Sequence, residues 1–494
     1  MFRHFGEPPA EALTTSHNVR PPCLKLVMDQ NECDVRAWAE AEYGSAVLGD
    51  ARRVRRLVTM AEGVMNRPAG QVTAVYEGAE REGAFRLLEN DAVDTEEIAH
   101  AAHRACARRA RGASFVFVPV DGTSLSITDR ELAKGLGAVG ARHMNVSGVQ
   151  VMTGIAVARD GVPLGICGQC YWTRGAASVE PKAKKKQRPL AHKETLHWLD
   201  VMAQSRTVFA EQSPGTQPWF QLDRGGDAWP IVLDGLLSGE LFTVRAAQDR
   251  RVDGDGPRRY LWETLETTKS LGTMQVELPA RDRKGRRRTA EVEICAQEIS
   301  LRFLVEGAPL GSPPLYAVLA RERHATGDDA IEWLLLTSYP VERVNDAELV
   351  IFGYAQRWRI EEFHRCWKSG ACKVEDTQLR DVDHIIRWAT VLASVAVRIL
   401  RLTYLARHRP DTHADEELSP AEIDAIIVAS KTRKYRPGQT LRMADAVDLL
   451  ARLGGYIGKS SGGPPGPVVL ARGLERIEVL AEVLQAGAVA PTKM

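Results

Sequence analysis

Two aspartates stand at the ends of short apolar runs. Phe115-Val-Phe-Val-Pro-Val120 leads into Asp121, and Trp219-Phe-Gln-Leu222 leads into Asp223. A continuous apolar run of this kind reads as a strand covered on both faces. Each carboxylate is then expected where such a strand ends, and strand ends are where sites gather in sheets flanked by helices. A carboxylate in that position is costly unless it is paired, hydrogen-bonded or bound to a cation. Two of them ask for a third, because Mg²⁺ sites for phosphoryl transfer are built from a few carboxylates plus substrate phosphates.

The third is found in Tyr354-Ala-Gln-Arg357-Trp-Arg-Ile-Glu361-Glu-Phe-His-Arg-Cys-Trp-Lys368. Taken as one helix turning about 100° per residue from Tyr354 at zero, it places Arg357, Glu361 and Lys368 near roughly 300°, 340° and 320°. Those four residues share one stripe, and Glu362 falls on another, near about 80°. Helix geometry therefore selects Glu361 over its neighbour. An acid between Arg and Lys on one stripe suits a metal-binding carboxylate beside phosphate contacts. A surface of i, i+4 ion pairs has the same spacing. His364 lies on the flank of this stripe, where a proton-transfer role and a phosphate or structural contact are both open.

The elements that must position these residues follow from pattern. Val149 to Ala158 and Val162 to Trp172 flank Asp160-Gly161 and read as a hairpin. Leu241 to Val244 is a further strand. From about 246 to 335 alternating segments such as Met274 to Leu278 and Ala290 to Cys295 predict antiparallel strands, with Arg281 to Arg288 as a basic hairpin tip. Lys182 to Arg188 and Lys431 to Arg436 are basic loops. Helical patterning occupies about 34 to 90 and the chain from about 346 onward. Ser419-Pro-Ala-Glu422 is a capping box that starts a helix. In the first helical region Val54, Leu57, Val58 and Ala61 keep apolar helical spacing, while Arg52, Arg53, Arg55 and Arg56 lie between them. Such a helix suits a phosphate backbone, and it equally suits a solvated face.

Composition sets the frame. The 494 residues exceed a single core, so two to four domains are expected. Net charge is +1, so a DNA-binding surface must come from local segregation of charge. The apolar run Trp388 to Val397 lies between Arg387 and Arg398 and is too short for a bilayer. No secretion signal precedes it, and eight cysteines are too sparse for a disulfide scaffold, which suits a reducing cytoplasm. Cys167-Gly-Gln-Cys170 is half of a zinc pattern; His364, Cys366 and Cys372 would complete it only by coincidence of fold, so reduced cysteines on a strand are expected. Residues 1–33 read as a disordered leader, with Met28 as a possible start of translation.

Tyr354 to Gly370 resembles the Tyr-Arg-Glu-Lys signature of bacterial cut-and-paste DDE transposases of insertion sequence family four. The likeness extends from about residue 34 over most of the chain. It includes Ser45-Ala-Val-Leu-Gly-Asp-Ala-Arg-Arg53, Glu82 to Asn90, Asp121-Gly-Thr-Ser-Leu-Ser126, Asp223-Arg-Gly-Gly-Asp227, Trp333-Leu-Leu-Leu-Thr-Ser338 and Ala451 to Tyr456, in matching order and spacing. Gly225-Gly226 departs from it, since larger residues are more usual there.

The resemblance implies an α/β (α+β) protein. An RNase H-like mixed sheet with flanking helices would occupy 95–406, carrying a β-rich insertion at about 246–335. A helical DNA-end recognition domain would occupy 34–94 and a helical dimerisation domain 407–494. Asp121, Asp223 and Glu361 would bind two Mg²⁺ ions, with Mn²⁺ as a substitute. Tyr354, Arg357 and Lys368 would hold phosphates, Trp333 would stack on a flipped base, and Arg245 would lie near that base or its phosphate. Arg52 and Arg53, and Lys284, Arg286 and Arg287 of the basic tip, would meet the transposon end. The partners would be double-stranded DNA, as terminal inverted repeats and target, and a second copy of the chain in a synaptic complex, in the cytoplasm on the nucleoid. The function implied is cleavage at transposon ends and strand transfer through a hairpin. A plain nuclease would not need a pairing domain, and a non-catalytic DNA-binding inhibitor or domesticated relic would usually have lost a triad residue.

Overall fold

The structure, a computed structural model, describes residues 35–140, 146–174, 193–253, 259–278, 288–305, 307–323, 330–458 and 463–489. The leader at 1–33, the basic loop at 182–188 and the tip residues Lys284, Arg286 and Arg287 lie outside the described residues.

Fourteen described strands run β1 Phe115–Ser126, β2 Gly137–Val139, β3 Val146–Val157, β4 Pro163–Trp172, β5 Gln217–Leu222, β6 Leu241–Arg245, β7 Arg251–Val252, β8 Arg259–Tyr260, β9 Ser270–Leu278, β10 Arg288–Ile299, β11 Arg302–Val305, β12 Ala308–Gly311, β13 Leu315–Glu322 and β14 Glu332–Thr337. Ten of them make one mixed sheet in the order β2-β3-β1-β5-β6-β14-β13-β10-β9, with β4 also paired to β3. β1 is antiparallel to β3 and parallel to β5, and β5 is parallel to β6. Of the strands in 246–335, β9, β10, β13 and β14 extend this sheet, while β7–β8 and β11–β12 form two-stranded sheets of their own. β14 pairs antiparallel with β6, and β13, β10 and β9 extend the same sheet outward.

Strand alternation sorts the core into two layers. Val116, Val118, Val120, Phe220, Leu222, Phe242 and Val244 face a helix at Thr195–Gln212, whose Val201, Met202 and Phe209 complete that layer. Phe117, Leu125, Trp219 and Leu335 face the other way, toward the carboxyl-terminal helices. Asp121 and Thr123 have the parity of Phe117 and Leu125, and Asp223 continues that of Trp219. β1 does not end at Asp121, as its apolar pattern predicts. It runs on to Ser126 because β3 continues to pair with it, while β5 stops at Leu222. What ends at Asp121 is the ladder on one edge.

Before the sheet lie helices α1 Val35–Tyr43, α2 Ala51–Asn66, α3 Val72–Val75, α4 Gly78–Leu88 and α5 Thr95–Arg109. α2 starts where Asp50 accepts the Arg52 amide at 2.8 Å, and buries Leu57, Val58, Ala61, Val64 and Met65. α5 begins under an Asp94 cap and packs on β4. Within and beyond the sheet come α6 Thr195–Gln212, α7 Trp229–Leu237, α8 Leu261–Glu266, α9 Val344–Ala355, α10 Trp358–Lys368, α11 Val382–His408, α12 Pro420–Ser430, α13 Met443–Leu453 and α14 Pro467–Val489. The capping box forms at Ser419 and Glu422, with Pro420 in the first turn. α11 is the central post. Trp388 donates to Gly70 O at 2.7 Å, Arg387 donates to Leu88 O at 2.6 Å, and Arg401 is ion-paired with Glu417 and donates to Pro163 O at 3.0 Å. It thus ties the first helices, the sheet and the last helices together. No helix among the described residues is long and apolar enough to cross a membrane.

Tyr354 to Lys368 is not one helix but two, α9 and α10, joined at Gln356 and Arg357. The Gln356 side chain donates to Phe352 O, the acceptor its own amide also uses, and the amides of Gln356 and Arg357 draw in to Gly353 O and Tyr354 O, both at 3.0 Å. A side chain competing in the ladder is a recognised cause of such a break. Both residues keep right-handed helical dihedrals, so the tightened turn shifts the stripe by only about 20° per residue and preserves its sense.

Candidate active site

The parallel register pairs Val120 with Leu222, so Asp121 and Asp223 follow at equivalent places on neighbouring strands, spaced by about 4.8 Å. Their shared parity aims both at the layer that holds α9 and α10. α10 crosses β1 and β3 and brings Glu361, in its first turn, onto this face. Arg357 lies between the acids. Its Nη1 is 3.5 Å from Asp121 Oδ2 and 3.4 Å from Glu361 Oε1, and its guanidinium is 6% exposed.

The carboxylates of this cluster are partly buried and crowd one another. Burial raises the Asp121 carboxyl to about 7; Asp223 and Glu361 push it the same way, against Arg357 and the Gly122 amide. That amide donates to Asp121 at 2.7 Å. A buried carboxyl crowded by two others, with Arg357 at 3.5 Å, fits a site that takes up a cation. Asp121, Glu361 and His364 offer ligand atoms that all lie within 4.8 Å of one another. The donor set is oxygen-rich and suits a hard divalent cation.

The surrounding residues come from the same two layers. Tyr354 is buried, its hydroxyl is pushed up chiefly by burial, and it lies beside Arg357 and Arg245. Arg245, at the end of β6, donates to Glu332 O at 3.2 Å, and burial lowers its pKa. Lys368 Nζ reaches Thr123 Oγ1 at 3.3 Å and Glu375 at 3.5 Å. Burial, then Lys368 and Arg357, bring His364 down to about 3. Asp121, Asp223, Glu361, Tyr354, Arg357, Lys368 and Arg245 therefore meet in one place. Trp333 joins them from beneath. It is 5% exposed and meets Tyr354 edge-on at 5.3 Å, so its ring is not open to a base in this structure.

Arg52 and Arg53 are elsewhere, on α2. Arg52 is exposed and ion-paired with Asp50 at 2.8 Å. Arg53 instead donates to Leu48 O at 2.8 Å and Ala92 O at 3.2 Å, closing the first helical domain on itself. Glu362 turns away from the acids, accepts a hydrogen bond from Tyr404 and pairs with Arg359 at 3.6 Å. Asp227 also faces away. It pairs with buried Arg250 and accepts the Ala247 amide at 2.6 Å.

Two features escape a reading of sequence. Glu375 accepts the Ser126 amide at 2.8 Å and holds Lys368, and no spacing announces it. Gly225 and Gly226 form a tight turn in which the Gly225 amide donates to Asp223 Oδ1 at 2.7 Å. A Cβ at 225 would come within 2.9 Å of that oxygen, and one at 226 within 2.7 Å of Leu222 Cβ. The glycines that looked like a departure are what lets the turn close around Asp223. The zinc pattern is split. Cys167 packs in the α6 layer and Cys366 and Cys372 in the opposite one.

Comparison with known families adds the ends of the chain. Residues 35–93, spanning α1 to α4, match the transposase DNA-binding family. Residues 394–489, from the middle of α11 through α14, match the transposase Tn5 dimerisation domain. These two matches, in this order on either side of a ten-stranded mixed sheet, make the chain a Tn5-like transposase, with a DNA-binding domain before the sheet and a dimerisation domain after it.

Proposed function

We propose that this transposase cuts DNA at the ends of its element and joins them to target DNA, with Asp121, Asp223 and Glu361 holding two Mg²⁺ ions. The carrying observation is the meeting of three carboxylates from three distant segments on one face, with Asp121 raised to about 7. The order β4-β3-β1-β5-β6, with β5 and β6 parallel to β1, supports the RNase H-like reading. When bound, the ions supply an activated water and a Lewis acid for the leaving 3′ oxygen, and Mn²⁺ suits the same ligands.

The chain's own groups do the rest. Arg357 bridges Asp121 and Glu361 by pairing with both and so offsets their repulsion. Lys368, Arg357, Tyr354 and Arg245 present donors to phosphates on either side of the cut. No serine or tyrosine nucleophile is needed. The freed 3′-OH attacks the opposite strand, giving a hairpin that is reopened before the end is joined. The dimerisation domain pairs two such ends in a synaptic complex.

The test is a supercoiled plasmid carrying the element's own ends, incubated with Mg²⁺ and wild type, Glu361→Ala or Glu362→Gln. Excision by wild type and Glu362→Gln, with Glu361→Ala binding but not cutting, supports the triad. If all three bind and none cuts in Mg²⁺ or Mn²⁺, the protein is a non-catalytic DNA binder.

A further inference from the structure

We infer that His364 is a third protein ligand of the cation held by Asp121 and Glu361, giving that position a preference for Mn²⁺ over Mg²⁺ beyond what carboxylates alone provide. The inference rests on the metal-binding reading above.

Three observations carry it. His364 is three residues after Glu361 on α10, so the two side chains share a helix face. A Glu-x-x-His pair on one helix is an arrangement that delivers a carboxylate and an imidazole to one ion in carboxylate-bridged metal proteins. His364 is 6% exposed, yet its Nε2 meets no hydrogen-bond partner among the described residues. Buried polar atoms are nearly always satisfied, so an open imidazole nitrogen beside two carboxylates points to a missing ligand. Its ligand atom lies within the same 4.8 Å span as those of Asp121 and Glu361.

A structural role would leave that nitrogen satisfied within the protein. A phosphate contact would use Nε2 as an N–H donor, and the spin-echo test below separates that role from ligation. Neutral imidazole is the metal-binding form, and it suits Mn²⁺ better than Mg²⁺, which prefers oxygen and water. Asp223, which is not in the Asp121–Glu361–His364 cluster, then serves the second ion with oxygen ligands.

The test uses the full chain without DNA. Mn²⁺ is titrated in and bound ions are counted by electron paramagnetic resonance. Three-pulse electron spin-echo then reads whether a ¹⁴N nucleus is coupled to the bound Mn²⁺. Wild type is expected to show imidazole ¹⁴N modulation. His364→Gln should still bind Mn²⁺, about tenfold more weakly, without the modulation, and its Mn²⁺:Mg²⁺ affinity ratio should fall by a similar factor. His364→Asn is the second variant should the first not fold. Modulation that persists in either variant overturns the inference, as does bound Mn²⁺ in wild type with no ¹⁴N coupling. The underlying metal reading fails separately, if wild type binds no Mn²⁺ and is indistinguishable from Asp121→Asn.

Discussion

Glu361 and Glu362 are neighbours in sequence and turn to different faces of the same helix. On the Glu361 side, burial, with Asp223 and Glu361 close by, raises Asp121 to about 7 against the pull of Arg357. On the Glu362 side every charge has an answer. Glu362 accepts from Tyr404 and pairs with Arg359, whose guanidinium lies 3.8 Å from the Tyr404 ring centre and whose Nε donates to Gly161 O at 3.1 Å. α10 is anchored on one face so that the other can hold crowded carboxylates. Paired charge marks scaffold, and partly buried carboxylates crowded together mark the site.

The largest effect should separate the two glutamates by activity. Glu361→Gln removes a ligand and is expected to lower the excision rate at least ~10³-fold, on the scale of losing one essential catalytic group. Glu362→Gln keeps an acceptor for Tyr404 and should stay within about threefold of wild type. Plasmid excision measured at equal DNA occupancy checks both. Equal losses would erase the distinction between the faces.

Stability should show the reverse order. Arg359 is 1% exposed and serves Gly161, Glu362 and Tyr404 together. Arg359→Met leaves Glu362 without its ion pair and the Gly161 carbonyl without a donor, a loss of about 3 kcal/mol on the scale of broken buried pairs. Its melting temperature should fall by several degrees, while Glu361→Gln should melt at or above wild type without metal. Thermal melts in a chelator give the answer. A wild-type melting temperature for Arg359→Met would show that α10 is held by its apolar packing alone.

Much of this arrangement is readable in the sequence, and the reason is periodicity. Strand parity puts Asp121 on the side of Phe117, and helix spacing separates Glu361 from Glu362. Both depend only on local geometry, so they survive the break at Gln356, which no pattern revealed because it arises from one amide side chain. Long-range pairing is what escapes. That β14 joins β6, so that β13, β10 and β9 extend the central sheet, is decided by tertiary packing. That Glu375 holds Lys368, or that Arg53 is occupied by the carbonyls of Leu48 and Ala92, depends on segments brought together only by folding.

The crowded face should also respond to pH. The Asp121 carboxyl is raised to about 7 from its ordinary value of 3.8. A raised acid favours the folded state while protonated. That contribution is present below about pH 4 and lost as pH rises through about 7. Asp121→Asn keeps the shape and cannot lose a proton. In a chelator its melting temperature should match wild type near pH 4 and exceed it by roughly 2–4 °C at pH 8. Mn²⁺ should close that gap by stabilising wild type alone. A gap of the same size at both pH values would assign the effect to packing.

The smallest effect concerns charge far from the site, where nothing is buried. Arg52 is exposed beside Asp50, and Arg53 is committed to the fold. If α2 meets DNA phosphates through its outer arginines, Arg52→Ala and Arg55→Ala together should flatten the salt dependence of binding by nearly two released ions, a change of about 1.8 in the slope of log K against log salt. Arg53→Ala should instead lower the melting temperature of the protein. Fluorescence anisotropy on an end-containing duplex across a salt series distinguishes them. An unchanged slope in the double variant would make the outer face of α2 merely solvated, and would leave phosphate contact in the first domain to other residues.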